Sequence, residues 1–292
     1  MSVPSPDQAV AHFGPAGMRR FSLTGAHGLR LPEAARGLLT ETGVPAHVVP
    51  YFRAAEETDA VPLGTYAGHH GVERAPVGTE GWARIGHDRL AQLCVRPDGA
   101  VQAVFLAAEA ADMFVATDLP SLIACLAVLD RTLPVIAAAP DLPGAAVAFR
   151  ELNEELRTLD PSAFAERENW WPRVLDDVRH TLNFPFSAAF EYVDEAGGKQ
   201  VVTEATGPGR LHPEEIIRER LESEGVPADH VRRVYCELQP CMMPGHYCAV
   251  WLQQACPQAE FTHSFDYGED ADSRERGLRE LITHTARQAG RR

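Results

Sequence analysis

The stretch VRRVYCELQPCMMPGHYCAVWLQQA, residues 231–255, decides the fold of the second half of the chain. Val231 to Glu237 alternates apolar and polar side chains with period two, which predicts a strand, and Tyr247 to Gln254 has helical spacing. Pro240-Cys241 ends the strand, and Pro244-Gly245 is a turn dipeptide. A strand that runs through a short loop into a helix is the building unit of an α/β sheet. The flanking sequence repeats the alternation. Ser187 to Val193 and Gln200 to Ala205 are β-prone and are joined by Asp194 to Lys199, which contains Gly197-Gly198. His212 to Leu221 is helical with Pro213 near its start, Glu260 to Tyr267 is β-prone, and Ser273 to Ala286 is an amphipathic final helix. This order predicts a three-layer α/β/α domain over residues 183–292.

Upstream the pattern changes. Residues 1–15 are aperiodic and contain Pro, Ser and Gly, so they read as a flexible leader. In residues 16–182, short β-prone runs come first: His47 to Phe52, Leu63 to Tyr66 and Gly81 to Ile85. Leu90 to Val95 and Ala100 to Leu106 flank Arg96-Pro97-Asp98-Gly99, where Pro presets the turn and Gly accepts a positive φ, so they form a hairpin. Helices follow, from Leu119 to about Leu133, from Gly144 to Arg157, and from Pro161 to Thr181 with Trp170, Trp171, Val174, Leu175 and Val178 on one stripe. Pro172 is positioned to kink or restart the third. Strands followed by helices predict an α+β domain with an antiparallel sheet, and the break falls near Leu182-Asn183-Phe184-Pro185.

At 292 residues the chain exceeds what a single hydrophobic core organises, in keeping with two domains. Apolar residues make up 45% and charged residues 23%, the balance of a folded protein. Net charge is −14, and residues 181–292 alone carry 18 acidic and 12 basic side chains, which excludes a domain that grips polynucleotide through a basic surface. No export signal is read at the N-terminus, and Leu119 to Pro140 is cut by Asp130, Arg131 and Pro134, so a cytoplasmic protein that does not span a membrane is expected. Six cysteines are too few for a disulfide framework here. Four of them, Cys236, Cys241, Cys248 and Cys256, fall within twenty-one consecutive positions, which points to a metal.

Two places carry chemistry together: Leu211-His212-Pro213-Glu214 at one helix start, and Cys241 and Cys248 leading into the next. Alone, a His-x-Glu at a helix start is explained by the preference for acidic residues in the first turn, and two cysteines with six residues between them by core packing. Together they supply three N/S ligands for Zn²⁺, an open fourth position and a carboxylate off the metal, which is what hydrolytic deamination of a base requires. The metal lowers the pKa of water from about 15.7 towards about 7, and the carboxylate moves protons. His246 is an alternative third ligand to Cys248, and Glu215 an alternative to Glu214. Cys236, alternating with Val234, and Cys256 read as core. His263, Phe265 and Tyr267 lie on a strand that could wall the pocket, and Arg274, Arg276 and Arg279 read as a solvated face.

His-x-Glu, then Pro-Cys and a second Cys, in this order of elements, resembles the cytidine-deaminase-like superfamily. Tyr235-Cys236-Glu237-Leu238-Gln239-Pro240-Cys241, Pro244-Gly245-x-Tyr247-Cys248 and Thr262-His263-Ser264-Phe265-Asp266-Tyr267-Gly268 resemble the nucleic acid/nucleotide deaminases of bacterial polymorphic toxin systems. The resemblance implies zinc ligands at His212, Cys241 and Cys248 and a proton shuttle at Glu214. The superfamily's commonest pattern has two residues between the cysteines, and this chain has six. In the first domain Leu63-Gly64-Thr65-Tyr66, Trp82-Ala83-Arg84-Ile85-Gly86, the Pro97-Asp98-Gly99 hairpin and the helix after Phe114 resemble the SUKH immunity domains, which implies binding of a toxin protein.

The expectation is therefore a zinc deaminase acting on cytosine, slightly favoured over adenine, in a nucleotide or single-stranded nucleic acid, fused to an immunity-like recognition domain. The alternative is a non-catalytic binding protein that sequesters a toxin and keeps zinc as a structural staple. A structural site normally closes its fourth position with a protein ligand and has no use for Glu214.

Overall fold

The computed structural model describes residues 6–24, 27–72, 75–106, 110–183 and 186–289; Phe184-Pro185, at the expected break, lies outside them. The chain forms two compact units, Met1–Val135 with Val147–Leu175, and Ile136–Ala146 with Asp176–Arg292.

The first unit contains α1 (Pro6–Phe13), β1 (Met18–Arg19), α2 (Glu33–Glu41), β2 (Val44–Pro45), β3 (His47–Val48), β4 (Phe52–Ala54), β5 (Val61–Pro62), α3 (Leu63–His69), β6 (Ala83–His87), β7 (Gln92–Val95), β8 (Val101–Val104) and β9 (Met113–Ala116). It also holds most of α4 (Leu119–Ala137) and α5 (Leu142–Leu159) and the start of α6 (Trp170–Asn183). Within the stretch read as a leader, residues 6–13 are helical, Ala9 is buried, and His12 pairs with Asp130 at 2.8 Å. Strands run in the order β3-β4-β6-β7-β8-β9, with β5 also pairing β6, and every pairing is antiparallel. The expected hairpin is β7–β8: Val95 faces Val101, and Arg96 N–H donates to the Ala100 carbonyl at 2.8 Å.

Three local expectations change. Leu63 to Tyr66 is not a strand: it opens α3, because Leu63 and Ala67 are both fully buried at helical spacing and four residues are too few to show that period. The segment from Pro161 is interrupted, with a 3₁₀ turn at Pro161–Phe164 and α6 beginning at Trp170. Pro172 lies in the first turn of α6, where its missing N–H is not needed, so it neither kinks nor restarts the helix. Helix α4 is long and apolar enough by composition to cross a membrane despite Asp130, Arg131 and Pro134, with a mean hydropathy of 1.7. However, 61% of it is buried in the protein, as expected of a core helix.

The second unit contains β10 (Ser187–Val193), β11 (Lys199–Ala205), α7 (Pro213–Ser223), β12 (Val231–Leu238), α8 (Cys248–Ala255), β13 (Glu260–Phe265) and α9 (Ala271–Ala289). Its sheet order is β11-β10-β12-β13; the first two pairings are antiparallel, and β12 runs parallel to β13. Phe190, Val234 and Leu238 from the sheet share one core with Ile217 and Leu221 of α7, Leu252 of α8, and Leu278 and Leu281 of α9. Cys236 and Cys256 lie in that core, as the sequence suggests. Arg274 departs from its expected solvated position. It is only 1% exposed, with its guanidinium 3.7 Å from Asp176, whereas Arg276 and Arg279 are exposed. The difference is one of helix phase, since Arg274 lies four residues before the buried Leu278.

Candidate metal centre

The site is built in the second unit where two helices begin beside the carboxyl ends of the parallel strands β12 and β13, a position at which open α/β sheets commonly bind ligands. Pro213 fixes the first turn of α7, and His212 precedes it as the N-cap residue. The Glu215 carboxylate accepts the His212 backbone N–H at 3.1 Å, the reciprocal bond of a capping box. Glu215 is thus used to start the helix. Glu214, one residue earlier, is 2% exposed, and its Oε2 has no hydrogen-bond partner among the described residues.

Cys241 follows β12, and Cys248 opens α8. The six residues between them do not bulge outward. Met243, His246 and Tyr247 are all buried, Gly245 has φ +79°, and Tyr247 takes the left-handed conformation at φ +47° to turn the chain into α8. Ala249 N–H donates to the Cys241 carbonyl at 3.0 Å and ties the two ends together. This puts both sulfurs 3.5 Å from His212 Nδ1. Bond lengths of about 2.3 Å to sulfur and about 2.0 Å to nitrogen at a tetrahedral angle space an N and an S ligand about 3.5 Å apart, so the spacing of His212 Nδ1 from each sulfur fits a shared zinc ion.

His212 is aimed by a residue the sequence did not single out. Asp177, on α6, is bonded to His212 Nε2 at 3.0 Å and to His246 Nε2 at 3.0 Å. With Nε2–H donated to the carboxylate, Nδ1 presents its lone pair to the sulfurs, the arrangement that orients metal-ligating histidines. Sequence did carry a signal: Asp177 lies three residues after the buried Val174, hence on the inner face of α6. His246 stacks flat on His212, with centroids 3.9 Å apart, and its Nδ1 meets Glu215 at 2.6 Å. Both nitrogens of His246 are therefore bonded to carboxylates and not turned to the cysteines. Asp177, His212 and His246 are also close enough to one another to hold a cation, though their spacings are those of hydrogen bonds.

The electrostatics follow from burial and pairing. Burial opposes ionisation of the Cys241 thiol, but the bond from Cys248 and the His212 ring outweigh it and hold Cys241 well below its usual range. Burial and the neighbouring Cys241 raise Cys248. Burial would lower His246, yet Asp177 and Glu215 push it up to about 9. Glu214 is raised, chiefly by burial, and Cys236 is a hydrogen-bond partner. Of the three candidates on the β13 side, Tyr267 lines the pocket with His212, Glu214 and Cys241; His263 instead bonds Asp266, and Phe265 packs on the core.

A mixed α/β domain that gathers one histidine, two cysteines and a buried carboxylate beside a pocket belongs to the class of deaminase-like folds, here preceded by an antiparallel α+β domain. Residues 4–177, more than half of the chain, match the family described as SUKH-4 immunity protein, and the chain belongs to that family. Residues 185–284 match the family described as Xanthomonas-like deaminase, which makes the C-terminal domain a deaminase-family domain. No curated protein and no solved structure matches the chain.

Proposed function

We propose that the C-terminal domain hydrolytically deaminates a nucleobase at a zinc site held by His212, Cys241 and Cys248, with Glu214 as the proton shuttle. One observation carries the reading: Nδ1 of His212 lies 3.5 Å from both sulfurs, in a pocket shared with a buried carboxylate whose Oε2 has no hydrogen-bond partner among the described residues. When bound, zinc supplies the Lewis acidity that lowers the pKa of water towards about 7. Glu214 takes one proton from the water and passes it to the ring nitrogen beside the amine-bearing carbon, then takes the second from the new hydroxyl on that carbon and passes it to the departing amine. Water oxygen becomes bonded to that carbon, the C–N bond breaks, and the products are ammonia and a ring carbonyl. Phe186 and Leu238, which line the same pocket, exclude solvent from the ring. His246 would be the natural fourth ligand of a purely structural site; its bonds to Asp177 and Glu215 favour an open position instead.

The acidic balance of this domain favours a nucleotide or a single strand over bulk duplex. The SUKH-4 domain fits a toxin-binding module, and the pairing fits a protein working in the cytoplasm. The test is zinc content and ammonia release from cytosine- and adenine-containing nucleosides, nucleotides and single strands. Glu214→Gln is expected to keep its zinc and lose about 10²- to 10⁴-fold in rate. Equal rates in the two proteins would remove Glu214 from the reaction, and a protein that takes up no zinc would end the metal reading.

A further inference from the structure

Beside the donor set, the same pocket is lined by His180 and Tyr267. His180, on α6, is 3% exposed and its Nδ1 is hydrogen-bonded to the Tyr267 phenol; the two rings meet edge to face at 5.4 Å. The other ring nitrogen, Nε2, is buried with no hydrogen-bond partner among the described residues. Leaving a buried polar atom unpaired is costly, and such atoms in native structures ask for a ligand or solvent partner. Which atom carries the imidazole proton follows from matching donors to acceptors. If Tyr267 O–H donates to Nδ1, one atom is left over, the Nε2–H. The opposite arrangement leaves both the phenol hydrogen and the Nε2 lone pair unmatched. Burial also holds His180 neutral, with its pKa pushed down to about 3. The pocket thus contains an uncharged N–H donor fixed in direction by a second side chain.

We infer that His180, oriented by Tyr267, is a substrate-binding residue that donates its Nε2–H to the 2-oxo group of a cytosine ring, so that the site takes cytosine in preference to adenine. The inference rests on the deaminase reading above. In cytosine, the ring nitrogen next to the amine-bearing carbon is flanked on its other side by a carbonyl; in adenine the corresponding neighbour is a C–H. The neutral His180 donor, in a pocket it shares with Phe186, Leu238 and Gln239, is satisfied by the carbonyl and left unpaired against the C–H. Sites built to hydrogen-bond a substrate group reject analogues lacking it strongly. His180 lies outside residues 185–284, so this specificity comes from a helix beyond the matched deaminase segment.

Full-length zinc-loaded protein is compared with His180→Phe and Tyr267→Phe on cytidine, adenosine and 2-thiocytidine, whose sulfur is a weaker acceptor. Ammonia release gives kcat and KM, calorimetry gives nucleoside binding, and zinc content is measured throughout. The expected result is cytidine strongly preferred by the unsubstituted protein, kcat/KM for cytidine lowered by about tenfold or more in His180→Phe with zinc retained, and a smaller loss in Tyr267→Phe. His180→Phe should also cease to distinguish cytidine from 2-thiocytidine, which a merely structural role would not produce. Unchanged cytidine kinetics in His180→Phe, or a preference for adenosine, overturns the inference. Should His180→Phe not fold, an unchanged Tyr267→Phe overturns it equally. If no nucleoside, nucleotide or single strand yields ammonia, the deaminase reading fails, and calorimetry decides separately: cytidine binding weakened by His180→Phe sustains the recognition role, while absence of binding ends it.

Discussion

Asp177 touches two histidines at once, 3.0 Å from each Nε2, and only one of them faces the cysteines. Asparagine has the same shape but only one acceptor oxygen, so Asp177→Asn leaves one of the two imidazoles without its carboxylate partner. Loss of an outer partner of a ligating histidine typically lowers metal affinity about 10- to 100-fold, and that is the expected result, read by competition against a chromophoric zinc chelator. An unchanged zinc Kd would mean that His212 is oriented by packing alone. That His212, Glu214, Cys241 and Cys248 come together was legible in the sequence because they fall in two short motifs. Asp177 was hidden because it precedes His212 by 35 residues, inside a helix recognised only by its apolar stripe. His180, three residues further along the same face, leaves a mark on stability. Its folded pKa of about 3 lies below the 6.5 of a free imidazole, so between those values the unfolded chain binds the proton and the folded one does not. Stability is therefore unaffected by this group above about pH 6.5 and falls as pH drops from there towards about 3, by an amount on the order of 5 kcal/mol. His180→Gln should flatten that part of the stability curve measured by urea unfolding; an identical slope in both proteins would show that His180 titrates normally.

At the scale of elements, α9 is held against the end of β13 by a backbone approach that tolerates no side chain. A Cβ at Gly277 would sit 1.7 Å from the Asp266 carbonyl oxygen, which is backbone and cannot swing away. On an exposed helix Gly→Ala would stabilise by about 1 kcal/mol through helix propensity. Gly277→Ala is instead expected to destabilise by about 1–3 kcal/mol or more, the range for overpacking, because α9 must lift from Asp266-Tyr267 and so disturb the pocket wall. Thermal unfolding checks the sign, and a raised Tm would contradict the close approach. The elements most readable from sequence were those with a full period or a defined turn, such as β7–β8 around Arg96 to Gly99 or the run from β12 into α8. The short stretch Leu63 to Tyr66 was not, because one helical turn and a short strand place the same few apolar residues. The loop from Cys241 to Cys248 was legible as a turn but not in direction: nothing local indicates that Met243, His246 and Tyr247 pack inward.

Considered as a whole molecule, the chain has a seam that does not coincide with the ends of its matched families. The deaminase match begins at residue 185, whereas the compact unit containing the candidate metal donors begins its main segment at Asp176 and takes Asp177 and His180 from α6. Asp177 is also the last residue of the SUKH-4 match. The helix that closes the first domain in sequence thus supplies the carboxylate that orients His212 in the second. It follows that the deaminase segment alone is an incomplete site. A chain starting at residue 185 keeps His212, Glu214, Cys241 and Cys248 but leaves His212 Nε2 and His246 Nε2 without Asp177, and buried polar groups without partners destabilise the structure around them. Such a chain is expected to bind zinc at least about tenfold more weakly than the full protein and to exchange it faster with chelator. Equal affinity in the two chains would mean that the donor set orders itself without α6, and the deaminase domain would then be separable at the family boundary.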